Sequence, residues 1–269
     1  MTNRRDDDYD CLIMIRTFAI QAFKDNYIWA LIDDDRRQLV VVDPGDAQPV
    51  LAVIRAQGLR LAAILITHHH WDHTNGIKEL VAEQPAPVYA PEAEAIGGAT
   101  HPVREGMAIA LPELGLSFTV LEVPGHTRGH VAYYGEGMLF CGDTLFAGGC
   151  GRLFEGTAEQ MYRSLRRFAE LPSNTRIYCA HEYTEANLRF ATLVEPDNEA
   201  LRARLAAVQA QRARGEITLP STIAEELATN PFLRVDQPAV IESAERRAGQ
   251  RLASAVEVFA AVRKWKDTA

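Results

Sequence analysis

Four histidines and an aspartate stand between His68 and His73, in the stretch ITHHHWDHTNG (66–76). The chain has eight histidines, so half of them occupy one loop. Neutral imidazole nitrogens and a carboxylate are ligands for zinc, iron or manganese. His68 and His70 are two residues apart, and on an extended backbone such residues point the same way, so both can serve one ion. His69 then points away. Asp72 and His73 stand at the turn into a helix and can reach a second ion beside the first. No thiolate is close enough to compete, which argues against a closed structural cysteine site and for an open hydrolytic one.

The same residue types recur just past other apolar runs. LSFTVLEVPG leads to His126, GMLFCG to Asp143 and TRIYCA to His181. In a layered α/β sheet, sites gather at strand ends, where loops converge without disturbing the core. Four such ends predict one metal cluster.

The elements that must position these loops follow from periodicity. Residues 12–22, 27–33 and 38–42 read as strands, the last ending in the Asp43-Pro44-Gly45 turn. Residues 49–58 have helical spacing and a terminal glycine. RLAAILIT (60–67) is a continuous apolar run, as in a strand buried on both faces. Ile77, Leu80 and Val81 start a helix directly after the histidine loop. Further strands are predicted over 87–90, 116–123, 130–135, 137–141 and 176–180. Thr157 and Gln160 form a capping box before a helix over 161–171. The alternation predicts an α/β layered domain. Beyond about residue 183 no strand is expected. Helices are predicted over 201–210 and 222–228, and along the stripe Leu252, Ala255, Val256, Phe259, Val262. The expected division is an extension (1–13), a catalytic domain (14–183) and a helical substrate-binding domain (184–269).

Bulk composition narrows the class. No apolar run approaches the roughly 18–20 residues of a bilayer span. The start MTNRRDDDYDCLI fits neither a secretory signal nor a transit peptide, so a cytoplasmic protein is expected. A net charge of −8 disfavours a nucleic-acid surface. Cys11, Cys141, Cys150 and Cys179 are widely spread with no CxxC pair, and read as free thiols. A monomer acting on a small molecule is expected, without nucleic acid or membrane.

The motifs KDNYIW (24–29), VVDPGDA (41–47), THHHWDHTNG (67–76), VPGHTRGH (123–130) and FCGDTLF (140–146) resemble the metallo-β-lactamase superfamily. GCGRLFEGT (149–157), AHEYT (180–184), NPFLR (230–234) and RKWKD (263–267) are similar to the glyoxalase II, or hydroxyacylglutathione hydrolase, family within it. The resemblance runs from Met14 to Asp267. It implies a four-layer αββα sandwich with a helical C-terminal domain and two divalent metal ions, zinc being expected and iron or manganese acceptable. It implies that His68, His70 and His126 hold one metal, that Asp72, His73 and His181 hold the other, and that Asp143 and a water bridge them. It implies hydrolysis of S-D-lactoylglutathione and related 2-hydroxyacyl thioesters to D-lactate and glutathione, the second step of methylglyoxal detoxification. Two neighbouring cations lower the pKa of a shared water enough to generate hydroxide near neutral pH. Asp72 and Asp143 can orient that hydroxide. Arg152, Phe154, Tyr183, Arg263 and Lys266 match positions that bind glutathione.

Three departures from the family pattern stand out. Gln21 replaces a frequent proline, Leu153 replaces an aromatic, and residues 1–13 precede the usual start. His101 is expected on a surface loop. His130 is either a hydrogen-bonding support to a ligand or an ordinary buried residue. Cys150 reads as a small residue in a tight loop. A mononuclear iron persulfide dioxygenase of the same superfamily is the competing activity. An RNA-processing nuclease is disfavoured by the acidic balance.

Overall fold

The structure, a computed structural model, describes residues 15–269. The expectation for residues 1–13 lies outside the described residues. Two six-stranded sheets face each other. The first runs in the order β1 (Ile15–Ala22), β2 (Asn26–Asp33), β3 (Gln38–Val42), β4 (Arg60–Leu65), β5 (Val88–Pro91), β6 (His101–Val103). Its first three strands are antiparallel, and β3 to β6 are parallel. The second sheet combines β7 (Ala108–Leu111), β8 (Leu116–Glu122), β9 (Val131–Gly135), β10 (Met138–Gly142), β13 (Arg176–Cys179) and β14 (Ser221–Thr222), with β14 and β7 at its edges. Strands β11 (Leu145–Phe146) and β12 (Gly149–Cys150) form a separate hairpin.

The alternation along β2 shows how the layers arise. Tyr27, Trp29 and Leu31 point between the sheets, into the core that holds Phe118, Tyr133 and Phe140. Ile28, Ala30 and Ile32 point the other way, onto α1 (Ala47–Gln57) and α3 (Ile77–Glu83). Side chains of period two therefore fill two cores at once, so every residue of β2 is buried. On the outside of the second sheet, α4 (Ala158–Ala169) buries Met161, Ser164, Leu165 and Phe168 at helical spacing. The Thr157–Gln160 capping box is present, with both reciprocal bonds made. Helix, sheet, sheet and helix make the expected four layers.

After residue 183 the chain forms α5 (Thr184–Val194), α6 (Glu199–Ala213), α7 (Ile223–Thr229), α8 (Pro238–Ala248) and α9 (Ala255–Lys266). The main core continues into this region through Phe232, in the turn between α7 and α8, and through Val240, Phe259 and Val262 on α8 and α9. One expectation is corrected here. The region holds a strand, β14, whose two residues extend the second sheet beside β13. Two residues are too few to display alternation, so nothing in the local sequence signals it. His101 is likewise on a strand, β6, although it is exposed as expected.

Candidate metal centre

The loop after β4 carries the ligand candidates into α2 (Trp71–Thr74), a single turn with His70 at its N-cap. Asp72 and His73 fall on that turn, while His68 and His70 lie before it. The Asp43-Pro44-Gly45 turn packs directly against this segment. A Cβ on Gly45 would sit 1.8 Å from the Asp72 carbonyl oxygen, so only glycine allows the approach.

His70 Nδ1 lies 3.0 Å from both His68 Nε2 and His126 Nε2. Asp72 Oδ2 lies 3.5 Å from both His73 Nε2 and His181 Nε2. These are two separate triads. Asp143 stands between them: Oδ1 is 3.5 Å from His73 Nε2 and 3.4 Å from His181 Nε2, while Oδ2 is 3.4 Å from His126 Nε2. Donor atoms sharing a tetrahedral ion at about 2.1 Å lie roughly 3.4 Å apart. The spacing is that of two donor sets around a common carboxylate.

Hydrogen bonds behind the ligands fix which nitrogen faces inwards. His73 Nδ1 donates to Asp43 Oδ2 (3.1 Å), His126 Nδ1 to the Arg152 carbonyl (2.9 Å) and His181 Nδ1 to Asp25 Oδ1 (2.9 Å). His68 Nδ1 donates to Thr67 Oγ1 (3.0 Å), which donates in turn to Asp43 Oδ2 (2.7 Å). Each of these partners turns the corresponding Nε2 towards the centre. Asn26 Nδ2 donates to Asp72 Oδ2 at 3.0 Å. His130 is buried and stacks on His68, with centroids 4.6 Å apart. Its Nδ1 faces the Val131 carbonyl, and its Nε2 accepts the Asp143 N–H at 3.2 Å. His130 is thus both fully buried and bonded to the backbone of the ligand candidate Asp143.

In the metal-free chain the buried carboxylates hold protons on the imidazoles they face, His73 and His181, and a bound ion would displace those protons. Burial alone would raise the Asp143 carboxyl, but His181, His73 and His126 override it and hold it far below the carboxylate range. Burial alone would depress His181, yet Asp143, Asp25 and Asp72 push it up to about 9. Burial drives His68 and His130 well below the usual imidazole range, so both are neutral. His73 Nε2 and Asp143 Oδ1 are buried without a hydrogen-bond partner. Such orphans are rare in native proteins and call for an explanation. A pair of divalent ions supplies one, and the N/O donor set fits zinc, iron or manganese.

The centre opens onto a cavity of about 390 Å³ that Arg152, Phe154, Tyr183, Arg263 and Lys266 all line, together with Phe146, Cys150 and Asn187. Phe154 lies edge-on to His70 and His126, with centroids 5.6 and 5.3 Å away. Tyr183 stacks on His181 at 4.8 Å. One aromatic ring thus faces each triad. The Arg152 side chain is 65% exposed, but that of Arg263 is only 4% exposed. Arg263 donates to the Cys150 carbonyl (2.8 Å) and to Asp267 (3.0 Å), and its guanidinium lies over Phe232. Lys266 donates to Asn187 Oδ1. Leu153 packs against the main core. Cys150 is buried in the hairpin, where burial pushes its thiol up despite the nearby Arg263.

The intervening loop residues turn elsewhere. His69 Nε2 pairs with Glu155 (2.8 Å), and Trp71 packs on Phe23 with centroids 5.1 Å apart. Sequence reasoning missed Asp25, Asp43 and Thr67 as orienting groups. The sequence marks Asp43 only as the first residue of the Asp43-Pro44-Gly45 turn after β3; its left-handed backbone (φ 54°), uncommon for a non-glycine residue, emerges only in the structure. Among the described residues no helix is long and apolar enough to cross a membrane.

Comparison with known proteins gives a consistent pattern. The family description "Metallo-beta-lactamase superfamily" matches residues 28–181, and "Hydroxyacylglutathione hydrolase C-terminus" matches residues 182–269. A hydroxyacylglutathione hydrolase of Alkalilimnicola ehrlichii is 60% identical over 254 residues, 94% of this chain and 99% of that one. One from Nitrosomonas eutropha is 55% identical over the same length, with the same coverage. Among solved structures, ETHE1 from Myxococcus xanthus is similar with a TM-score of 0.63 and 25% identity, over 95% of this chain and 99% of that one.

Proposed function

From the membership of this chain in the hydroxyacylglutathione hydrolase family of the metallo-β-lactamase superfamily, we infer that it hydrolyses S-D-lactoylglutathione and related 2-hydroxyacyl-glutathione thioesters to the hydroxy acid and glutathione. The observation that carries the mechanism is the position of Asp143, one oxygen towards each triad, at the edge of a cavity lined by cations.

His68, His70 and His126 would hold one divalent ion, and Asp72, His73 and His181 the other, with Asp143 between them. Such a pair supplies a Lewis acid for the thioester carbonyl and a water acidified to near neutral pH. The chain's own residues do the rest. Asp43, Asp25, Thr67 and the Arg152 carbonyl hold His73, His181, His68 and His126, in that order, with Nε2 towards the ions. Asp72 and Asp143 offer carboxylate oxygens that orient the attacking water. Arg152 and Lys266 offer positive charge to the glutathione carboxylates, in a protein of net charge −8. Burial, with Asp25 nearby, pushes the Tyr183 hydroxyl far up, so it remains a hydrogen-bond donor at every working pH. No side chain has to act as nucleophile, because a thiolate leaves readily once water adds to the carbonyl.

On this reading residues 14–183 carry the chemistry and residues 184–269 complete the substrate pocket. The working form is a cytoplasmic monomer that uses neither nucleic acid nor membrane. The competing reading, a one-iron persulfide dioxygenase, leaves the Asp72–His73–His181 triad without a role. Metal analysis and thiol release from S-D-lactoylglutathione separate them. Two metals per chain with rapid release are expected. One iron per chain, with oxygen uptake on glutathione persulfide and no thiol release, would replace this proposal by the other.

A further inference from the structure

The β11–β12 hairpin lies between Asp143 and the Arg152–Phe154 wall of the cavity. Besides its own antiparallel pairing, its backbone is held by side chains from the helical region. Asn230 Nδ2 donates to the Phe146 carbonyl (3.2 Å) and the Gly149 carbonyl (2.9 Å). Asn187 Nδ2 donates to the Ala147 carbonyl at 3.0 Å. Glu226 Oε2 accepts the Gly148 N–H at 2.8 Å, and Arg263 donates to the Cys150 carbonyl. Four side chains bond five backbone groups of five consecutive residues. Gly148 adopts a φ of 69°, which turns its N–H towards Glu226 without Cβ strain.

Glu226 and Asn230 are fully buried, and neither lines the cavity. Glu226 stands in the middle of α7 and Asn230 is its C-cap. Asn230 Nδ2 also donates to Glu226 Oε2 (2.9 Å), and Arg204 pairs with Glu226 Oε1 (2.6 Å). A buried ion pair contributes little net stability compared with apolar residues of the same volume. A fully satisfied polar network instead specifies one geometry. Here the geometry specified is that of the hairpin carrying the substrate wall.

We propose that Glu226 and Asn230 are positioning residues, which lock the Phe146–Cys150 backbone so that the glutathione side of the cavity is pre-formed against the metal centre. The proposal rests on the reading of that cavity as the glutathione site. Specificity for the glutathione moiety then depends on the helical region without direct contact from these two side chains.

The test uses the full-length, metal-loaded protein. Asn230→Asp keeps the shape and the acceptor for the Phe232 N–H (3.0 Å), but replaces a donor by an oxygen facing two carbonyls and a carboxylate. Hydrogen exchange across residues 146–150 should accelerate. KM for S-D-lactoylglutathione should rise about tenfold or more, the scale expected of a small misplacement of binding groups. Turnover of a lactoyl thioester of N-acetylcysteamine, which lacks the glutathione moiety, should stay near wild type, with two metals retained. Glu226→Gln should act in the same direction and serves if Asn230→Asp does not fold. Unchanged exchange, an unchanged KM or an equal loss on both thioesters would overturn the proposal. If wild type itself released no thiol from S-D-lactoylglutathione, the functional reading would fail, while the exchange measurement would still decide the clamp.

Discussion

His73 Nε2 and Asp143 Oδ1 lie 3.5 Å apart, both buried, and neither has a hydrogen-bond partner within the protein. Divalent ions satisfy both atoms, so metal is part of the stability of the folded state. Ligand binding to the native state alone contributes about 4 kcal/mol at a thousandfold excess over Kd. Chelation followed by calorimetry should lower Tm by about 10 °C for a chain of this size. An unchanged Tm after complete metal removal would mean that the orphaned atoms have another resolution.

The histidine loop is divided by direction. His70→Ala removes the nitrogen shared at 3.0 Å by His68 and His126. His69→Ala removes only a half-exposed pair with Glu155, worth at most about 1 kcal/mol. Metal analysis of the two purified variants should find severe loss of metal in the first and both ions retained in the second. Equal loss in both would contradict the alternation.

Asp43 acts through His73. Its Oδ2 accepts from His73 Nδ1 and from the Thr67 hydroxyl, and its Oδ1 accepts the Thr67 N–H (2.8 Å). Asp43→Asn places an amide donor against at least one of these donors. Removing such an orienting partner lowers metal affinity or activity by about 10–100-fold. Competition against a chelator of known strength measures it, and wild-type affinity would remove Asp43 from this role.

Lys266 gives the pH dependence. Burial, then the neighbouring Arg263, lowers its ammonium to about 8; Asp267 and Cys150 oppose the shift, and Arg152 adds to it. The charge that Lys266 would offer to a glutathione carboxylate under the proposed function is therefore present below about pH 8 and lost above it. KM should rise as pH increases through about 8. Lys266→Ala should abolish that rise and increase KM about tenfold at pH 7, the worth of one charge-assisted hydrogen bond. For stability the sign is opposite. The folded pKa lies below the unfolded value of 10.5, so the unfolded chain binds the extra proton and this group's contribution grows between about pH 8 and 10.5.

The ligand loops were legible because each sits at the end of an apolar strand, and because two-residue spacing separates His68 and His70 from His69. The layered fold was legible for a related reason: β2 and β4 display burial on both faces through composition alone. Glu226 and Asn230 gave no such signal. Their partners lie 78 to 84 residues away and are backbone groups, whose identity no side chain records. Short edge strands such as β6 and β14 escaped for want of length. Helix α8, which opens at Pro238, was missed although proline at that position is a known helix start.

The central claim is a hydrolase with two metals and one bridging carboxylate. Zinc titration of the metal-free protein, with thiol release from S-D-lactoylglutathione followed at each addition, tests it most directly. Activity should rise and reach its plateau at two equivalents per chain. A plateau at one equivalent, or full loading without thiol release, would contradict the account.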